Sequence, residues 1–299
     1  MPPVEGDEYR PNCLQGRSRP TSRMAGWRGL LAAAHPAPSF AVTGFTTALA
    51  VGAGRGRRSL AVGAAALAGQ LAVGWSNDFI DRDRDGSACR QDKPIVIGAA
   101  PPELVRNCAI AAAAACVPLS LLSGWRAGVV HFAAVSSAIG YNAGLKSTPF
   151  SVVPYAAAFG ALPAFVALGG RPPERPSLAA VAAAALMGSG AHFINTVPDL
   201  ERDAATGVRG LPHRLGRAPS VLAGATLLAS STAIVARAGD RPMGLTGRIL
   251  VAASATAVAG VVVAESTGRE RLAWDLSLAT AAGTVLLYLS RHGSHRSPG

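Results

Sequence analysis

Asn77-Asp78-Phe79-Ile80-Asp81-Arg82-Asp83-Arg84-Asp85 closes a long uncharged run, and its reading decides the fold. On a helix Asn77, Asp81 and Asp85, spaced i, i+4, i+8, lie along one face with Asp78 beside them. Carboxylates crowded at the end of an apolar segment are costly unless cations neutralise them. The pattern returns as Asn195, Asp199 and Asp203, again at the end of an uncharged run, and Pro94 and Gly98 match Pro212 and Gly216 at the same offset. Five positions in one register indicate an internal repeat rather than two solvated helix ends that look alike. Two such faces turned towards each other make a site for a hard divalent cation. Mg2+ takes oxygen ligands, commonly one or two carboxylates completed by substrate phosphates, and no Cys/His cluster suggests zinc instead. The expected metal ligands are Asn77, Asp78, Asp81, Asp85, Asn195, Asp199 and Asp203.

Working outward, composition names the environment. The apolar share, 49%, is ordinary, but only 15% of the 299 residues are charged, against roughly 25% in soluble domains. Long charge-free runs account for the deficit and point to a membrane protein. The net charge of +11 does not read as nucleic-acid binding: the basic residues are scattered between apolar runs and no nucleic-acid-binding motif is present. A cationic cytoplasmic surface and an anionic substrate explain it better. Cys13, Cys89, Cys108 and Cys116 form no CxxC pair and read as unpaired thiols.

Residues 1–27 are polar and read as a disordered cytoplasmic tail, 28–291 as the membrane domain, and 292–299 as a short polar tail. The domain holds nine apolar segments, at about 29–53, 59–80, 104–124, 127–145, 148–169, 177–198, 218–236, 247–265 and 273–290. Most are near the roughly 20 residues that span a bilayer as helix, and their Ala, Gly and Ser content suits close helix packing in lipid. The expected fold is all-α and polytopic, with about nine transmembrane helices. Most of the 28 lysines and arginines then fall on the N-terminal face, which predicts a cytoplasmic N-terminus. Four crossings separate the two acidic segments, so both end on that face together with Tyr141 and Lys146. The repeat fits two four-helix halves plus one helix.

In this order and context the motifs resemble the UbiA superfamily of intramembrane prenyltransferases. Asn77-Asp78-x-x-Asp81-x-x-x-Asp85 and Asp199-x-x-x-Asp203 are similar to its two signature motifs. Arg90-Gln91-Asp92-Lys93-Pro94, Tyr141-Asn142-Ala143-Gly144-Leu145-Lys146 and Gly207-Val208-Arg209-Gly210-Leu211-Pro212 are similar to other family segments. The resemblance covers roughly Arg28 to Arg291. It implies Mg2+-dependent transfer of a prenyl group from an allylic diphosphate to a small-molecule acceptor, usually an aromatic ring. Asp78, Asp81 and Asp199 would carry the catalysis. Arg90, Lys93, Lys146, Arg209 and Tyr141 would hold the diphosphate as its charge develops. A membrane-embedded cavity would keep water from the allylic cation. The expected location is the cell membrane with cytoplasmic active-site loops, and no obligate protein partner is inferred. Within the same superfamily a terpene cyclase or a phosphoribose transferase are the alternatives. A transporter fits less well, because its acids tend to sit at the midplane and not at helix ends beside basic loops. His35, His131 and His192 are expected to be packing residues, His213 has no assigned role, and Asp83 and Glu201 should be solvated.

Overall fold

The computed structural model of the chain describes residues 23–239 and 242–292. Twelve α-helices follow in order: α1 Arg23–Ala33, α2 Pro36–Gly52, α3 Arg58–Ser87, α4 Pro102–Leu121, α5 Trp125–Asn142, α6 Val152–Leu168, α7 Leu178–Thr196, α8 Leu200–Ala205, α9 Leu211–Leu215, α10 Arg217–Ala238, α11 Leu245–Ser266 and α12 Glu270–His292. The described residues contain no strand. The expected tails lie outside the described residues, except that residues 23–27 open α1 and His292 closes α12.

Six of the long helices are long and apolar enough to cross a membrane, namely α3, α4, α10, α11, α12 and the α7 segment, and α6 is a shorter apolar helix. Each long helix packs on the next, and α12 returns against α2 to close a ring. The halves predicted from the repeat are α2–α5 and α6, α7, α10 and α11, with α12 as the additional helix. One apolar core joins Ala50, Val62, Ala65, Ala127 and Phe165 of α2, α3, α5 and α6. A second joins Met187, Ile194, Leu228, Val261 and Ala273 of α7, α10, α11 and α12. Buried positions are dominated by Ala, Gly, Ser and Thr, while Leu60, Ile110, Leu178, Leu222 and Leu245 are exposed. That inversion suits a bundle in lipid, where small residues let backbones approach and large apolar ones meet acyl chains.

The first apolar segment, expected to be one helix, is two. His35 precedes Pro36, which disfavours helical geometry at the preceding residue, and adopts a left-handed conformation (φ 50°, ψ 68°). The broken end docks on α3 through Trp75, whose indole N–H donates to Leu30 O at 2.9 Å. It also docks at Gly74, where an added Cβ would stand 2.7 Å from Ala34 O. The break therefore aims His35 at the acidic face of α3. Cys108 and Cys116 are free thiols, but Cys89 is disulfide-bonded. This corrects the reading of Cys89 as unpaired, while that of Cys108 and Cys116 holds; sequence spacing alone does not tell which cysteines pair.

Candidate active site

A cavity of about 470 Å³ opens among α2, α3, α5, α6 and α7. Asn77, Asp78 and Asp81 of the first acidic segment line it, as do Asn195, Asp199 and Asp203 of the second, with Arg90, Lys93, Tyr141 and Lys146. Of the residues expected in the site, two are not brought to this cavity. Asp85 is buried behind Lys93, and Arg209 is exposed, its carbonyl accepting from Arg214 Nε. Asp83 and Glu201 are exposed, as expected.

The first segment is the straight end of α3. Its buried carboxylates are each met by buried cations. Lys93 donates to Asp78 Oδ1 at 2.7 Å and to Asn77 Oδ1 at 3.4 Å, and stands 4.0 Å from Asp85 Oδ2. His35 Nε2 approaches the same Asp78 oxygen at 3.0 Å. Lys146, in the short turn Leu145–Ser147, donates to Asp81 Oδ1, and Arg84 lies 2.8 Å from Asp81 Oδ2. The loop after α3 folds back on itself, with Arg90 N bonding Asp85 O at 3.0 Å, and this return carries Lys93 over the motif. Asn142, at the end of α5, fixes Asn77: it donates to Val73 O and Ser76 Oγ while its Oδ1 accepts from Asn77 Nδ2 at 3.2 Å. Asn77 Nδ2 also donates to Asp81 Oδ2.

The second segment is built differently. Pro198 has no N–H to continue the helix and its ring opposes the carbonyl four residues back. So α7 ends at Thr196, a 3-10 turn covers Val197–Asp199, and α8 follows. Arg202 donates to Asp199 Oδ1 at 3.0 Å, and His213 Nε2 lies 3.4 Å from Asp203 Oδ2. Arg90 joins the segments: it donates to both Asp92 oxygens, at 3.1 and 2.7 Å, and its Nη1 stands 3.5 Å from Asp199. Burial opposes the Arg90 charge, but the Asp92 hydrogen bond and the nearby Asp199 carboxylate outweigh it and hold the guanidinium above its ordinary pKa. The same hydrogen bond holds Asp92 below the usual carboxylate range. Burial pushes the Lys146 ammonium down, against the pull of Asp81.

Three lining residues escaped the sequence reading. His35 is expected to pack, and only the His-Pro step signals the break that turns it to the cavity. Arg84 carried a signal: it stands at i+3 from Asp81 as Arg202 does from Asp199, at the offset of the repeat. Asn142 sits inside the quoted Tyr141–Lys146 segment. His192 is a packing residue as expected, bonded to Ser151 Oγ at 3.1 Å and stacked on Tyr155. Ser151 Oγ also accepts from Leu211 N at 2.9 Å, which ties the loop after the second segment to the Lys146 turn.

The donors facing the cavity are carboxylates and amides, the set a hard cation prefers, and buried Asp78 Oδ2 has no hydrogen-bond partner among the described residues. The residues therefore fit Mg2+. Among the described residues no three acidic, His or Cys side chains converge as a preformed ligand set. Beyond the polar end lies an apolar cavity of about 120 Å³. It shares Val42, Phe159, Leu162 and Trp274 with the first and runs between α2 and α12.

A family model described as the UbiA prenyltransferase family matches residues 25–280. The chain is 28% identical over 243 residues to a digeranylgeranylglyceryl phosphate synthase from Natronomonas pharaonis, covering 79% of this chain and 86% of that one. Among solved structures, a UbiA homolog from Aeropyrum pernix K1 superposes with a TM-score of 0.66 at 20% identity, over 82% of this chain and 97% of that one. A UbiA homolog from Archaeoglobus fulgidus, bound to DMAPP and Mg2+, gives 0.63 at 15% identity, over 87% and 99%.

Proposed function

Because the chain belongs to the UbiA prenyltransferase family, we propose that it transfers a prenyl group from an allylic diphosphate to an acceptor, with Mg2+, inside the membrane. The observation that carries this reading is the single cavity lined by both acidic segments, four basic side chains and an apolar extension. Asp78, Asp81 and Asp199 are the catalytic carboxylates. With Asn77, Asn195 and Asp203 they would hold the metal, and Asp85 would support them from behind. Mg2+, when bound, supplies Lewis-acid neutralisation of the diphosphate. The A. fulgidus homolog bound to DMAPP and Mg2+ supports the assignment of both ligands.

The chain's own residues would do the rest. Lys93, Lys146, Arg84 and Arg90 ring the polar end and would take the diphosphate oxygens as negative charge grows on the leaving group. Each already rests on a carboxylate, so the site needs little rearrangement to exchange that partner for substrate. Tyr141, edge-on to Tyr155 at 5.0 Å between centroids, presents an aromatic wall where the allylic cation would form. The apolar extension would exclude water from the cation and hold the prenyl tail. The proposal includes an electron-rich aromatic acceptor, a cytoplasmic motif face supported by the excess of Lys and Arg there, and residence in the cell membrane. The N. pharaonis relative, named for making digeranylgeranylglyceryl phosphate, supports a second reading in which a glyceryl phosphate derivative is the acceptor.

The test is incubation of membranes containing the chain with labelled geranyl diphosphate and an acceptor panel, followed by mass spectrometry. Acceptor-dependent diphosphate release and a product heavier than its acceptor by one prenyl group are expected. A cyclic terpene formed at full rate without any acceptor would replace transfer by cyclisation.

A further inference from the structure

Two side chains from distant parts of the chain hold Asp78, and the reaction needs one of them elsewhere. Lys93 Nζ and His35 Nε2 share Asp78 Oδ1, at 2.7 and 3.0 Å, and buried Oδ2 has no hydrogen-bond partner among the described residues. The direction of the carboxylate therefore rests on these two donors. An ionised carboxylate only accepts, so His35 carries its proton on Nε2 and donates it to Asp78. Lys93 Nζ, 3.5 Å from that nitrogen, has only protons to offer and leaves the bond intact. Lys93 also reaches Asn77 Oδ1 at 3.4 Å and lines the cavity, where prenyl transfer would draw it onto diphosphate oxygens. A lysine so drawn slackens its hold on Asp78, and His35 is then the donor that remains.

The backbone is built to put His35 there. Its left-handed conformation, φ 50° and ψ 68°, is uncommon outside glycine and persists where the surrounding structure enforces it. Ser39 Oγ fixes the break from the α2 side by donating to Ala34 O at 2.8 Å. From the α3 side, Gly74 lets the chain come close: an added Cβ would stand 2.7 Å from Ala34 O and 2.9 Å from its carbonyl carbon. Gly74 and Asp78 are i, i+4 on α3 and share one face. With Ala34 seated on Gly74, the next residue of the chain arrives over Asp78. The His35 side chain is 41% exposed and lines the cavity, so apolar burial does not account for its place.

We propose that His35 is a positioning residue that keeps Asp78 aimed at the metal once Lys93 has turned to the diphosphate. The proposal rests on the prenyl-transfer reading, in which Asp78 is a metal ligand. Hydrogen bonds behind a ligating carboxylate fix its direction, and losing one typically lowers metal affinity by about tenfold to a hundredfold. His35 acts through Asp78 and touches neither the metal nor the diphosphate.

The test measures binding in the full chain in detergent, with thermal melting of the same samples as the check on folding. Mg2+ is titrated in the presence of geranyl diphosphate, and geranyl diphosphate is then titrated at saturating Mg2+. In His35→Phe the Mg2+ concentration at half-saturation should rise about tenfold or more. Its affinity for geranyl diphosphate at saturating Mg2+ should stay within about twofold of wild type, because excess metal offsets a weaker site. His35→Gln, whose amide can still donate, should remain close to wild type in both titrations. Gly74→Ala alters neither His35 nor Asp78 but pushes Ala34 away, and should reproduce the His35→Phe defect. Wild-type Mg2+ dependence in His35→Phe or in Gly74→Ala would overturn the proposal, as would a defect in His35→Gln equal to that in His35→Phe. Weakened geranyl diphosphate binding that saturating Mg2+ does not restore would overturn it too, by placing His35 on the diphosphate itself. Should His35→Phe or Gly74→Ala not fold, His35→Ala decides by the same outcomes. Failure of wild type to bind geranyl diphosphate with Mg2+ would strike the prenyl-transfer reading instead, so the two failures are distinguishable.

Discussion

The two acidic segments have the same spacing and different structures. Residue for residue at the offset of the repeat, Asn77, Asp81, Arg84 and Asp85 answer to Asn195, Asp199, Arg202 and Asp203, but Ile80 stands where Pro198 stands. The first segment stays helical to Ser87, and the second breaks after Thr196. Side-chain exposure follows: 1% and 6% for Asp78 and Asp81, against 28% and 20% for Asp199 and Asp203. On the straight helix the last aspartate passes behind Lys93 and leaves the cavity, whereas beyond the break Asp203 lines it. One half thus supplies a rigid, charge-compensated wall, and the other a more open edge. An internal repeat conserves the spacing of ligands without conserving the shape that presents them.

The largest expected effect sharpens this contrast. Asp81→Asn and Asp199→Asn should each lower turnover by about a hundredfold to a thousandfold, the usual loss when an electrostatic stabiliser is removed. Only Asp81→Asn should also destabilise the fold, because it strips Lys146 and Arg84 of a buried counter-charge, a loss of about 3 kcal/mol. Turnover assays paired with thermal melting in detergent read both. A melting temperature that falls equally in the two variants would remove the distinction between wall and edge.

A middle-sized effect belongs to the break itself. Pro198→Ala lets α7 continue, which would carry Asp199 and Asp203 away from their present directions. Displacing ligands in this way should cost about tenfold in turnover, while Ile80→Ala, at the matching position of the straight segment, should cost less than about threefold. Equal effects at the two positions would mean that the break does not aim the second segment.

The smallest effect concerns a residue the sequence offered and the fold sets aside. Arg209→Ala should change the KM for geranyl diphosphate by less than about twofold, since its side chain points to solvent, whereas Arg90→Ala should raise it about tenfold through loss of the contact between the two segments. A larger effect at Arg209 than at Arg90 would show that the loop after α8 closes over the substrate.

Much of this was legible before any coordinates. The charge deficit and apolar runs gave a helical membrane bundle, and the repeat gave two halves whose motifs meet on one face, because helix periodicity and parity of crossings are properties of the chain itself. What the sequence did not deliver depended on tertiary packing. His35 reaches Asp78 across 43 positions only because a proline breaks the first apolar segment. Asp85 shares the repeated face but is screened by a loop that folds back. His131 is expected to pack, and nothing in the order of the residues shows that its ring also lines the cavity. Arg84 could have been found, for its match to Arg202 was present in the repeat.

The central claim is that both segments serve one metal-bound diphosphate. It is tested most directly by titrating geranyl diphosphate into the full chain in detergent, with Mg2+ and with chelator, for wild type, Asp81→Asn and Asp199→Asn. Tight binding that requires Mg2+ in wild type and is lost in either variant is the predicted result. Wild-type, Mg2+-dependent affinity retained with either segment neutralised would contradict the claim.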